Sequence, residues 1–342
     1  MFDEYYKCLE LNISETCNYN CSYCVFRRNI NENTLMTPDL ARKVTIDYIE
    51  YLDGRKGKIY LGAGEPTLNW KAIEAVSDTL LSYQNTDVSI FFMSNGSCIT
   101  ENRMRFLKER DIKMGLSIDG HRSFQNIQRP HLGSGTDTYD AVIRTLELAK
   151  RYQYSIYSLS STYRSPEFRD EVKHIIGLCK KYNINELDLD YDIAALTPLS
   201  IERVAENLIA SYNDIVKENI QVFGYWIIPV LNKYEETSNR YYCGNSVGNC
   251  VCVSAAGNLK ICGYDQTDYG LYCGFDQIKT NKKYVDAIKH YNENARSHEC
   301  LKCELRSLCC GQCIFIDPDS QMFRNNCTLL GEVYKRNNRP LG

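Results

Sequence analysis

Strand-like and helix-like stretches alternate along the first two-thirds of this chain, and that order leaves few folds open. YKCLELNI (6–13), GKIYLGAG (57–64), DVSIFFMS (87–94), IKMGLSID (112–119), SIYSLSST (155–162) and ELDLDYDI (186–193) read as strands. Amphipathic helices fit between them. Thr37 and Pro38 form a start signal ahead of a stripe of Leu40, Val44, Tyr48, Ile49 and Leu52. Ser165 and Pro166 repeat the device before Phe168, Val172, Ile175, Ile176 and Cys179, and a further helix is expected at 199–218. Such alternation implies parallel strands joined by crossover helices, hence an α/β barrel or open sheet, here expected as a partial (β/α)6 barrel. Functional residues of such barrels gather at the C-terminal ends of the strands.

After residue 240 the alternation stops. Eleven of the 17 cysteines fall between 243 and 327, among turn sequences. The 342 residues therefore divide into a core domain, 1–230, and a smaller cysteine-rich one, 231–342. A net charge of −3 gives no support for a nucleic-acid partner. The start, MFDEYYKC, has no apolar signal region, and VFGYWIIPVL (222–231) is too short to span a bilayer. A cytoplasmic protein is expected. In a reducing compartment the cysteines read as metal ligands or catalytic groups, not disulfides. With five histidines beside 17 cysteines, thiolate-only sites are favoured: iron–sulfur clusters or four-thiolate zinc.

Directly after the first strand stands ETCNYNCSYC, placing Cys17, Cys21 and Cys24 in the spacing Cys-x3-Cys-x2-Cys. A cubane cluster has four irons, so three thiolates leave one iron open to an outside ligand, as a catalytic zinc keeps an open position. The competing reading is a four-thiolate site that borrows a remote cysteine.

The triplet, with Tyr23 in its aromatic place, resembles the radical S-adenosylmethionine (SAM) superfamily, and the likeness continues along the chain. GAGEP (Gly62, Ala63, Gly64, Glu65, Pro66) resembles the family's turn that binds the SAM amino group, with Ala63 in place of a glycine. SNG, with Ser94 and Asn95, resembles the ribose-side segment. SIDG, with Ser117 and Asp119, followed by Arg129, resembles the stretch that contacts the SAM carboxylate and ribose. The resemblance implies a 4Fe–4S cluster that chelates SAM and a 5′-deoxyadenosyl radical released by reductive cleavage. An electron donor such as flavodoxin or ferredoxin is implied as well.

The C-terminal cysteines resemble the SPASM extension of radical SAM enzymes that act on peptides and proteins. By that resemblance one auxiliary 4Fe–4S cluster takes Cys243, Cys250, Cys262 and Cys313, and the other takes Cys300, Cys303, Cys309 and Cys327. Cys252 competes with Cys250, and Cys250 is expected to be the ligand. Cys8, Cys98, Cys179, Cys252, Cys273 and Cys310 are left over, with Cys98 and Cys179 read as small packing residues. Two zinc knuckles are the plainer alternative.

The expected function is maturation of a ribosomally made peptide by an oxidative crosslink, thioether or carbon–carbon. A sulfatase-maturing enzyme and a peptide epimerase are alternatives, and an iron–sulfur electron carrier is the non-enzymatic one. Sulfatase-maturing enzymes carry a catalytic Asp directly after the cysteine that here is Cys262. Gly263 stands at that position, with Tyr264 and Asp265 following as substitute catalytic candidates. A chain that starts at the first barrel strand leaves no room for a leader-binding domain, so a separate protein or the barrel surface is expected to hold the leader.

Overall fold

The computed structural model describes residues 5–26, 34–83, 86–133, 135–227, 243–245, 248–294, 300, 302–303, 305, 309, 312–313 and 315–337. Among them, nine strands build one sheet: β1 (Cys8–Ser14), β2 (Gly57–Ala63), β3 (Val88–Ser94), β4 (Lys113–Ser117), β5 (Leu159–Tyr163), β6 (Glu186–Tyr191), β7 (Gln221–Phe223), β8 (Cys250–Val253) and β9 (Leu259–Lys260). Their order is β7-β6-β5-β4-β3-β2-β1-β8-β9. Neighbours run parallel except β8 and β9. Among the described residues β7 and β9 each pair on one side only, so the barrel is partial. All six predicted strands are present, although β5 begins only at Leu159.

The helices are α1 (Pro38–Leu52), α2 (Trp70–Ser82), α3 (Glu101–Glu109), α4 (Arg122–Gln128), α5 (Thr138–Arg151), α6 (Arg169–Tyr182), α7 (Ile201–Val216), α8 (Phe275–Ile278), α9 (Lys282–Asn294) and α10 (Gln321–Asn337). Thr37 caps α1 as its sequence predicts, accepting the Leu40 amide at 3.2 Å. Ser165 does not cap α6. The helix starts after Phe168, and the Ser165 hydroxyl closes a local turn on Glu167 instead.

Two features of the cysteine-rich region go beyond what its sequence suggested. Strand β8 pairs in parallel with β1, Glu10 opposite Cys252, so the cysteine-rich region extends the barrel sheet itself. The region also contains long helices: α10 packs on α7 and buries Phe323, Leu329, Leu330 and Val333. Its order therefore comes partly from apolar burial. No helix among the described residues is long and apolar enough to cross a membrane.

Alternation along β1 sets what faces inward. Leu9, Leu11 and Ile13 are fully buried in the core between sheet and helices. Glu10 and Asn12 consequently point to the opposite face, the barrel lumen. At the level of Glu10 the register runs through Tyr60 and Phe91. Tyr60 stacks on Phe91 at 5.6 Å, and Phe91 meets Tyr157 edge-on at 5.1 Å. These rings lie at the level of Glu10, one step along the face below Asn12.

Candidate active site

The loop carrying Cys17, Cys21 and Cys24 follows β1, at the C-terminal end of the barrel, and two segments hold it in place. On one side the GAGEP turn pairs with it through backbone bonds, Gly64 N to Ser14 O (2.8 Å) and Glu65 N to Thr16 O (2.9 Å). A Cβ at Gly64 would collide with the Thr16 carbonyl, so only glycine permits this approach. Ala63 sits at φ +82°, a conformation that favours glycine. On the other side Asn20 N donates to Pro130 O (2.7 Å), Ser22 N to Gln128 O (2.9 Å) and Leu132 N to Asn18 O (2.9 Å). The segment around Arg129 is thereby fixed beside the cysteines.

Burial pushes the Cys17 thiol up to about 12, against the Tyr19 amide that donates to its sulfur at 3.4 Å. Burial pushes Cys21 up to about 11, and the Arg129 charge opposes it. These thiols are poor sites for an uncompensated negative charge, and a bound iron cation would supply the compensation a thiolate there requires. No three His, Cys, Asp or Glu side chains among the described residues converge tightly enough to hold one metal ion. A cubane does not ask for that: each thiolate binds a different iron, and the sulfurs stand apart around the cluster. The donor set thus fits an iron–sulfur cluster.

Glu65 is 2 % exposed and anchors the site from below. Its Oε1 accepts from the Thr67 amide (3.1 Å), the Thr67 hydroxyl and the Ser94 hydroxyl (2.8 Å), while its Oε2 accepts from the Asn95 amide (2.7 Å). Burial raises its carboxyl and these bonds oppose the rise. The Asn95 side chain bonds Asn18 and Ser97. Glu65, Ser94 and Asn95 therefore lock one another, and Glu65 fastens two turns beyond any part it has in holding a ligand. Pro66 opens the short helical turn that follows. Gly62 lies within β2, not in the turn. Ser117 ends β4, in register with Ser160.

Asp119 is fully buried, and its carboxylate accepts from the Tyr23 hydroxyl (2.8 Å), Arg129 Nε (2.9 Å) and the Thr162 amide (3.1 Å). The Arg129 guanidinium also lies 5.1 Å from the Tyr23 ring centre. Asp119 thereby holds Arg129 and Tyr23 in place. Asp265 is 3 % exposed, and its oxygens accept the Ile261 (3.1 Å) and Thr267 (2.9 Å) amides, closing the turn after Cys262. Tyr264 is half-exposed and meets the Phe26 ring in a tilted contact at 5.1 Å, with Glu10, Asp190 and Cys24 nearby.

The C-terminal thiols fall into two groups. Burial pushes Cys327 up to about 12, and Cys309, Cys300 and Cys303 push it the same way, so these four are neighbours. Gln312 Nε2 donates to the Cys327 sulfur at 2.9 Å. In the other group burial raises Cys313, with Cys243 adding to the rise, and burial followed by Glu10 raises Cys262, with Cys313 adding. Cys252 has Cys262 among its neighbours. Cys250 instead shares a hydrogen bond with Cys8, its register partner at the start of β1. The expected choice of Cys250 over Cys252 is therefore not favoured by the neighbours of either thiol. Cys179 is a core residue, Cys98 is half-buried, and Cys310 lies outside the described residues.

Sequence reasoning passed over Glu10 and Asn12. The available signal was the alternation of CLELNIS, which puts both on the face opposite three buried aliphatic side chains.

A loop of three cysteines at a barrel strand end, backed by a glycine-rich turn and a buried arginine, agrees with what comparison finds. Residues 11–179 match the Radical SAM superfamily. This part of the chain is a radical SAM domain. Such a domain holds a 4Fe–4S cluster and SAM. The chain is 24 % identical to the radical SAM cyclopropyl synthase TigE of Paramaledivibacter caminithermalis, over 91 % of this chain and 68 % of that one. It is 25 % identical to a cysteine-type anaerobic sulfatase-maturating enzyme of Clostridium perfringens, over 88 % and 86 %. Among solved structures, native anSMEcpe with bound AdoMet superposes with a TM-score of 0.74 at 20 % identity, covering 97 % of this chain and all of that one. Streptococcus suis SuiB bound to S-adenosylmethionine gives 0.63 at 14 %, over 90 % and 71 %. These structural likenesses establish the shared fold.

Proposed function

We propose that this chain is a peptide maturase that removes hydrogen from a ribosomally made precursor and closes an oxidative crosslink, thioether or carbon–carbon. The observation that carries this reading is the distribution of thiols: a triplet at the barrel mouth, a group that includes Cys252 on β8 beside β1, and a group that includes Cys327 on α10, the helix packed on α7. Cys17, Cys21 and Cys24 would hold the cluster that binds SAM. Cys243, Cys252, Cys262 and Cys313, and Cys300, Cys303, Cys309 and Cys327, would hold two auxiliary clusters. Bound there, the cluster and SAM supply a radical that abstracts hydrogen. Arg129, aimed by Asp119, would bind the SAM carboxylate, and Glu65 would accept from its ammonium group through the lone pairs that the turn leaves open. A crosslink removes two hydrogens, so an electron acceptor is needed besides the radical, and the auxiliary clusters are suited to that task.

The similarity to a cyclopropyl synthase favours a carbon–carbon bond. A second reading, oxidation of a sulfatase cysteine or serine to formylglycine, is supported by the relatives named sulfatase-maturating enzymes and by the fold shared with anSMEcpe. A leader-binding protein, a ferredoxin or flavodoxin donor and a cytoplasmic setting belong to the proposal. The discriminating experiment incubates the reconstituted enzyme, SAM and dithionite with peptides encoded beside its gene and with a sulfatase peptide. Loss of two hydrogens from a neighbouring peptide is expected. Conversion of the sulfatase peptide to its aldehyde, with the neighbours unchanged, would install the second reading.

A further inference from the structure

The GAGEP and SNG turns are fastened to each other at Glu65, and a second fastening comes from outside the site. Arg103 stands in the first turn of α3, where Thr100 caps the helix and accepts the Arg103 amide at 3.4 Å. Its guanidinium reaches back over the loop ends of β2 and β3 and lies 4.6 Å from the ring centre of Trp70, the first residue of α2. Phe106 of α3 meets the same indole edge-on at 5.6 Å. The guanidinium bonds go to backbone carbonyls: Nη1 donates to Thr67 O (3.1 Å) and to Cys98 O (2.8 Å).

Those carbonyls belong to the two segments that Glu65 joins. At Thr67 the amide and the hydroxyl go to Glu65, and the carbonyl goes to Arg103. In the turn after β3, Ser94 and Asn95 go to Glu65, and the Cys98 carbonyl goes to Arg103. The pair of turns is therefore closed twice, by a carboxylate and by a guanidinium. Hydrogen bonds with a charged donor are stronger than neutral ones, and an acceptor stripped of its donor is costly to bury. Without Arg103 both carbonyls lose that donor, and the turns are held together by Glu65 alone.

We propose that Arg103 is a positioning residue for SAM: by tying Thr67 to Cys98 it keeps Glu65 and the Asn95 turn at the spacing that receives the SAM ammonium group. It acts through those two turns. The inference rests on SAM lying over them, as in the reading above, and is independent of which peptide the enzyme modifies.

The test measures SAM affinity by equilibrium dialysis, together with iron content, on the anaerobically reconstituted protein. Arg103→Met keeps an apolar stem against Trp70 and removes the donors. It should hold its irons and bind SAM about three- to tenfold more weakly, a loss of the size of one hydrogen bond. Arg103→Lys, which keeps N–H donors at a shorter reach, should lie between that variant and the wild type. In Arg103→Ala, methylguanidinium chloride should restore most of the lost affinity, and potassium chloride at equal concentration should restore none. Arg105→Ala, at the exposed neighbour that bonds only Asn102 on the same helix, should bind SAM as the wild type does. Unchanged affinity in Arg103→Met would overturn the proposal. So would a loss that neither the Lys variant nor methylguanidinium lessens, or an equal loss in Arg105→Ala. Failure of the wider reading shows separately, as wild-type protein that holds its irons and does not bind SAM.

Discussion

Cys250 and Cys252 lie two residues apart on one face of β8, so a single register decides which thiol serves the neighbouring group. Cys250 is tied to Cys8, and Cys252 lies toward Cys262. Replacing Cys252 with Ala should therefore lose about four irons per chain, and Cys250→Ala should retain them; the reverse pattern would return the ligand role to Cys250. Glu65 presents a different case, because four protein donors converge on its carboxylate. Glu65→Gln sets an amide N–H₂ among those donors and should lower stability by about 1–3 kcal/mol, measured by denaturant unfolding. SAM affinity should fall by about one to two decades as well. A variant with native stability and native SAM affinity would refute both roles. The glycines of GAGEP were legible as a turn. That Glu65 braces Ser94 and Asn95 was not, because the contact spans some thirty residues of sequence and arises only when β2 and β3 are paired.

At the scale of elements, the strand–helix order was readable because each strand's apolar run and each helix's stripe are local signals. Strand β8 was not legible as a barrel neighbour. Its CVCV pattern is short, and its pairing with β1 joins residues about 240 apart. Helix α10 was missed because its polar residues and cysteine interrupt the stripe that Phe323, Leu329, Leu330 and Val333 form only in three dimensions. Strand β6 carries a testable consequence. Burial pushes Asp190 up to about 7 from 3.8, against the Tyr225 amide that it accepts at 3.0 Å, and Asp188 adds to the rise. A raised carboxyl binds its proton more tightly folded than unfolded. Its contribution to stability is therefore fully present below about pH 4 and is lost as the pH rises to about 7. Asp190→Asn should thus match the wild type near pH 4 and exceed it near pH 8 by on the order of 1–2 kcal/mol, allowing for partial exposure. A difference independent of pH would show that Asp190 is not buried as a strained carboxylate.

At the scale of the molecule, the chain is one sheet whose two ends of sequence meet: β1 carries the cysteine triplet on one flank and pairs with the cysteine-rich region on the other. Spacing set the cysteine triplet apart, the resemblance to the SPASM extension placed Cys313 with Cys243, and in the fold Cys243 is among the neighbours of Cys313. The internal bonds of two carboxylates singled out from sequence, Asp119 and Asp265, were not legible there, since sequence does not disclose which oxygens are already bonded. The central claim is that Cys17, Cys21 and Cys24 hold the cluster at which SAM is cleaved. The direct measurement is 5′-deoxyadenosine formation and iron content after anaerobic reconstitution, for the wild type and the variant with all three cysteines replaced by Ala. The wild type should hold about twelve irons and release 5′-deoxyadenosine with dithionite and SAM, whereas the variant should hold about eight and release none. Retained cleavage in the triple variant would contradict the account.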